Sequence, residues 1–183
     1  MKYTHFAVIS VFVLMTGCST LAPQYNASME NTQNLKRSGT SQVAVDGFAA
    51  SSDKVNHLTI RGGGFASPTN GSYVEYLQKA LEQELYDANR LSKNSSVKIT
   101  GVLMQNEIDA SGINVGNGHM EAEFVVRDAS KERYRKVQSA NIEWPSNFIG
   151  AVAIPKAIQE YPRVVQEMLG KLYADPDFQN AIR

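Results

Sequence analysis

Between Ser72 and Trp144 the spacing of apolar residues switches from a helical to an extended period, and that switch fixes the class of fold. Tyr73, Leu77, Ala80, Leu81, Leu85 and Ala88 recur at three- and four-residue steps, with Glu84 the only charge in the stripe. This is one face of an amphipathic helix. Ser72 followed by Glu75 gives the Ser-x-x-Glu pattern of a capping box at its start. Beyond Leu91 the period falls to two. Val97, Ile99, Val102 and Met104 form one run, offset at Gly101, where the glycine predicts a bulge. Met120, Ala122, Phe124 and Val126 form a second run, and Tyr134 to Trp144 a third. The turn-rich stretch "ASGINVGNG" and the charged stretch "ASKER" separate them, so the three predict an antiparallel meander.

Two further strands precede the helix. One carries Val43, Val45 and Phe48; the other carries Val55, Leu58 and Ile60 and runs into Gly62, Gly63 and Gly64. After the meander, Val164, Val165, Met168, Leu169 and Leu172 supply a second helical stripe. Pro155 and Pro162 are expected to kink or divide that helix, because each lacks a backbone donor. Asp175-Pro176 reads as an N-cap with proline at the first helical position, opening a short last turn. The order β-β-α-β-β-β-α over residues 42–183 predicts an α+β two-layer sandwich: a mainly antiparallel sheet of about five strands with two main helices on one face.

Lysine plus arginine and aspartate plus glutamate number 18 each, so no net field draws the chain to nucleic acid. Hydrophobic residues make up 43%, enough for a core in one domain. The single cysteine, Cys18, rules out an intramolecular disulfide, and the core alone must hold the fold.

Cys18 closes a distinct amino-terminal pattern. Lys2 is followed by the uncharged run "FAVISVFVLM" and then by Thr16, Gly17 and Cys18. Ten helical residues reach about 15 Å, half a bilayer core, which suits a signal-peptide apolar region and not a membrane span. "LMTGC" resembles a bacterial lipobox, with Met15 standing where leucine is most frequent. The resemblance implies removal of residues 1–17 by signal peptidase II and a lipid thioether on Cys18. It also implies a further acyl chain on the new amino group, and hence attachment to a membrane. Acyl chains in that number exceed what stable anchoring needs. Ser19 after the cysteine is, by similarity to enterobacterial lipoproteins, typical of export to the outer membrane, with the domain facing the periplasm. From Ser19 to Ser41 the chain is rich in Ser, Thr, Asn and Gln without a sustained period, so residues 18–41 read as a lipidated flexible tether of about 25 Å reach.

No motif in the folded part carries a recognisable chemistry. The Gly62–Gly64 run lacks the spacing of a phosphate loop and instead predicts a turn needing positive φ or a close backbone approach. His57 and His119 have no neighbouring His or Cys, so no metal and no cofactor are expected. Glu107 and Asp109, like Glu121 and Glu123, sit at i and i+2 as the wet face of a strand does. The stretch "NIEWPSNFIGAVAIP" is the most unusual: Trp144, Phe148 and Ile149 read either as a partner-binding surface or as the hinge between the last strand and the final helix.

In element order and lipid attachment the chain resembles small envelope lipoproteins such as the lipopolysaccharide-assembly lipoprotein and the auxiliary lipoproteins of ABC-type lipid transporters. That resemblance implies a non-enzymatic adaptor, assembly or transport accessory factor with an envelope protein partner. Two alternatives stand beside it. One is a lipid or small-ligand carrier with a pocket between helix and sheet. The other is an acyl-transfer or hydrolytic enzyme centred on Asp109, His119 or Glu121.

Overall fold

A computed structural model describes residues 19–183. In chain order it contains β1 (Thr20–Leu21), α1 (Met29–Ser38), β2 (Ala44–Ala50), β3 (Leu58–Ile60), β4 (Gly63–Ala66) and α2 (Tyr73–Asp87). There follow β5 (Val97–Asp109), β6 (Val115–Asp128), β7 (Lys131–Pro145), α3 (Gly150–Ala174) and α4 (Pro176–Ala181).

The fold is α+β, as the periods predict, but the strands divide between two sheets. The larger has the order β2-β5-β6-β7 and the smaller the order β1-β4-β3. β5, β6 and β7 form the expected antiparallel meander. β2 joins it in parallel, which requires a crossover, and α2 lies on that crossover. Ile99, Leu103, Met120, Ala122, Phe124 and Val126 point to the helix side and have no solvent exposure. Leu77, Leu81 and Leu85 of α2 and Val165, Met168 and Leu169 of α3 face them with none either. Each of these side chains except Ala122 contributes about 1.5–3 kcal/mol of burial. The opposite face of the large sheet carries the alternating polar residues.

Several local expectations hold in detail. The Ser72 hydroxyl accepts from the Glu75 amide at 3.1 Å, and Asp175 caps α4 by accepting from the Asp177 amide at 2.9 Å. Arg61 and Gly62 have φ of 50° and 79° and link Ile60 to its pair Gly63, the geometry of a two-residue hairpin turn with both central residues left-handed.

Other expectations are corrected. The bulge of β5 falls between Leu103 and Gln105, not at Gly101. Gly101 instead makes room: a Cβ there would lie 2.4 Å from the ring of Phe48, which packs across it onto Phe124. Val55 belongs to a 3-10 turn, Asp53–Asn56, and the strand after it is only Leu58–Ile60. Pro155 and Pro162 do not divide α3, which runs unbroken from Gly150 to Ala174. The two prolines lie seven residues apart, off the stripe formed by Ala153, Ala157, Tyr161, Val164, Val165 and Met168. Packing of that stripe outweighs two missing hydrogen bonds.

The largest correction concerns the amino-terminal segment, which is not a tether from Ser19 to Ser41. Thr20 pairs with Phe65 and Leu21 with Ala66, and the Ala22 amide donates to the Ala66 carbonyl at 2.8 Å. Tyr25 packs edge-on to Tyr76, whose hydroxyl donates to the Pro23 carbonyl at 3.0 Å. The buried carboxylate of Glu84 accepts from Tyr25 Oη at 2.6 Å, from the Ser28 amide at 2.9 Å and from Asn31 Nδ2 at 3.2 Å. α1 then lies against α2 and α3 with Asn31, Thr32, Leu35 and Ser38 inward. A polar segment folds here because its polar groups have dedicated partners.

A second buried ion closes the other end. Arg90, with no exposure, donates from Nε to the Ser41 carbonyl, from Nη1 to Ser38 Oγ and from Nη2 to the Ile182 carbonyl, at 2.8, 2.7 and 2.9 Å. Burial lowers its pKa from the usual arginine value, and the charge of Arg183 adds to the effect.

Candidate functional site

Three surface regions hold the residues that the sequence marks out. The first is the end of the domain where the β3–β4 turn, the β5–β6 loop and the β7–α3 loop converge. Arg61, at the tip of the turn, binds the other two together. Its Nε donates to the Ala110 carbonyl at 2.7 Å, Nη1 to the Phe148 carbonyl at 2.7 Å and Nη2 to the Asn147 carbonyl at 2.8 Å. The Ser146 amide donates to the Asn114 carbonyl at 2.8 Å, and Asn147 Oδ1 accepts from the Ile149 amide at 2.8 Å. Phe148 and Ile149 are therefore held outward by a bonded frame, 75% and 58% exposed. Trp144 is not part of that surface. At 3% exposure it lies in the core over Gly116, because the alternation of β7 turns it toward the helices.

The second region is a groove of about 500 Å³ beside β5. β2 pairs with β5 only as far as Leu103, so the next residues of β5 line an open edge facing His57, Leu58 and Thr59. Lys54, Glu107 and Asp109 line it too, but His57 turns its Nδ1 to the Asp53 carbonyl at 2.9 Å. The groove brings together mixed charges without a convergent set of ligands.

The third region is the polar face of the large sheet around His119. Its Nδ1 lies 2.7 Å from Asn141 Oδ1 and its Nε2 3.0 Å from Gln105 Oε1, one partner on each flanking strand. Both partners are amides, which cannot take up a proton as a carboxylate would. The register sets Asp109 opposite Asn117 and Glu121 opposite Gln105, so the three residues of the enzymatic alternative share a face without bonding to one another. The Ser111 side chain and then the Ser111 amide, which donates at 2.7 Å, hold the Asp109 carboxyl below the usual range, with the Arg61 charge adding to it. Among the described residues no group of three or more His, Cys, Asp or Glu is placed to hold a metal ion.

Cys18 lies outside the described residues, but its chain neighbour does not. A Cβ on Gly64 would sit 3.3 Å from Ser19 Oγ, so the residue after the cysteine is packed into the domain. Among the described residues no helix is long and apolar enough to cross a membrane. Glu84 is marked in sequence only as the single charge of its helical stripe, and Arg61 and Arg90 leave no pattern at all.

No family model and no curated protein matches the chain. Solved structures do. A Xanthomonas campestris protein of family DUF330 superimposes with a TM-score of 0.56 at 14% identity, over 86% of this chain and 95% of that one. An uncharacterized protein gives a TM-score of 0.51 at 8% identity, over 85% and 95%. A Caulobacter crescentus protein described as a putative lipoprotein gives 0.47 at 16% identity, over 82% and 97%. At such identities the similarity is one of fold.

Proposed function

We propose that this chain is a cell-envelope lipoprotein, held by acyl chains on Cys18 at the outer membrane with its domain in the periplasm. There it works as a non-enzymatic adaptor or as an accessory factor in assembly or transport. The observation that carries the reading is the distance in sequence between lipobox and fold. Ser19 already touches Gly64 and Thr20 already pairs with Phe65. A thiol placed there is positioned to fix the domain against a membrane, which gives the lone cysteine a purpose that neither a core nor a catalytic site supplies. The non-enzymatic part of the reading is supported by a sheet face whose histidine is engaged by two amides.

Mass spectrometry of the mature amino terminus, with Cys18→Ser as control, tests the anchor. The expected result is a chain beginning at an acylated Cys18 that fractionates with outer membrane, and a variant that does not. An unacylated wild-type chain recovered in the soluble fraction overturns it. In-cell cross-linking tests the adaptor role, which falls if no envelope protein is captured.

A further inference from the structure

We propose that the Arg61 end of the domain is a bilayer-docking surface, with Phe148, Ile149, Val152, Ile113 and Val115 entering the lipid interface beside the acylated cysteine; this rests on the lipoprotein reading of Cys18. The direction of the chain points there. β1 runs parallel to β4, with Thr20 at Phe65 and Leu21 at Ala66, so the strand's amino-terminal end is directed toward Gly63 and the Arg61–Gly62 turn. An anchor arriving at that edge brings the nearest loops to the membrane surface.

Those loops have the composition an interface demands. Residues 110–118 and 144–155 contain no Asp, Glu, Lys or Arg, and neither do residues 19–29. Five large apolar side chains nevertheless stand in solvent: Phe148 at 75% exposure, Ile113 at 66%, Ile149 at 58%, Val152 at 53% and Val115 at 48%. A patch of this kind marks an interaction surface.

The backbone is prepared for a medium poor in water. A loop entering lipid headgroups pays for every unsatisfied carbonyl. Here the carbonyls of Ala110, Asn147 and Phe148 are all taken by the Arg61 guanidinium, and that of Asn114 by the Ser146 amide. The guanidinium itself stays at headgroup level, where a long basic side chain reaches water or phosphate. A lipid surface fits this combination of an adjacent anchor, uncharged loops and satisfied carbonyls better than a protein partner does.

The test uses the full acylated chain in phosphatidylethanolamine–phosphatidylglycerol vesicles whose acyl chains carry bromine, a short-range quencher of tryptophan. Phe148→Trp and Ile113→Trp each add one indole at an exposed site, read against the buried Trp144 of the unmodified chain. Tyr86→Trp, at an exposed position on the distant end of α2, is the control. The added indole at 148 and at 113 is expected to lose roughly half its emission, and that at 86 to keep it. Equal, unquenched emission at all three sites with Cys18 acylated overturns the docking surface and leaves the anchor standing. Quenching at 148 and 113 with Cys18 unacylated keeps the docking surface and removes the anchor. A photoreactive group at 148 that captures an envelope protein in cells, with no quenching in vesicles, assigns the patch to a protein and overturns the proposal.

Discussion

Tyr25 and Glu84 are 59 residues apart in the chain, and the phenol donates a 2.6 Å hydrogen bond to a carboxylate that has no solvent exposure. That contact joins a segment without apolar periodicity to the best-formed helix of the domain. Burial pushes the Glu84 carboxyl up from its ordinary value of 4.5, against the hydrogen bonds from Tyr25, Ser28 and Asn31 that favour the ion. Because the carboxylate is buried, removing it leaves Tyr25 Oη and the Ser28 amide without an acceptor and Asn31 Nδ2 with the Gln166 carbonyl alone. Glu84→Ala is expected to lower unfolding free energy by about 2–4 kcal/mol and Tyr25→Phe by about 1–2 kcal/mol. Urea denaturation followed by circular dichroism reads both, and a loss under about 0.5 kcal/mol in each would mean the segment is not held this way.

The pH dependence has two limbs of opposite sign. A carboxyl raised by folding binds its proton more tightly in the native state, so the stability from Glu84 is present below 4.5 and lost as pH rises through its raised value. Asp175 behaves oppositely. Its burial raises the value, but hydrogen bonds from Lys136, Tyr134 and the Asp177 amide outweigh that and hold it below 3.8. Its stability is therefore present above 3.8 and lost as pH falls below. Glu84→Gln is expected to flatten the decline above 4.5, and Asp175→Asn the acid limb. Unfolding curves across both ranges check the assignment; unchanged slopes in both variants count against it.

Gly101 and Phe48 are expected to be coupled. Gly101→Ala puts a methyl where the Phe48 ring now lies and should destabilise by about 1–3 kcal/mol. In the Phe48→Ala background the same change should be nearly neutral. Strict additivity in a double-mutant cycle would show that the ring moves aside freely.

Pro162 sits inside a continuous helix and removes a donor that the Ile158 carbonyl would otherwise receive. Pro162→Ala is expected to raise stability by about 1–2 kcal/mol, less than the full helix-interior penalty because the neighbouring packing is already adapted to proline. Thermal unfolding measures it, and destabilisation would assign the proline a packing role instead.

Arg61→Lys keeps the charge but loses the fork that reaches three carbonyls on two loops. Hydrogen exchange of the amides from Asn147 to Val152 is expected to rise while that of β5 and β6 stays unchanged. Unchanged protection in both regions would show that the loops hold themselves.

The sequence made the period-based parts of this fold legible: α2, the meander and the capped α4. It also placed Phe148 and Ile149 in an unusual stretch, and Gly62 in a turn needing positive φ. It failed where specific polar contacts replace apolar burial. Buried Asn31, Thr32, Leu35 and Ser38 follow a helical step, but three of the four are polar, so the pattern passes for linker. The company of Trp144 leaves partner surface and hinge both open in sequence, and it is strand alternation that turns the indole inward. Gly101 suggests a bulge because a close ring and a backbone irregularity leave the same mark in sequence.

Arg90 gives the chain a condition on the order in which it can close. Its guanidinium holds the exit of α1 through Ser38, the entry to β2 through Ser41, and the carbonyl of Ile182. The first two acceptors precede it by 52 and 49 residues, and the third follows it by 92. Until that distant segment docks, a charge destined for the interior lacks one of its acceptors, so the amino-terminal helix cannot be sealed by local structure alone.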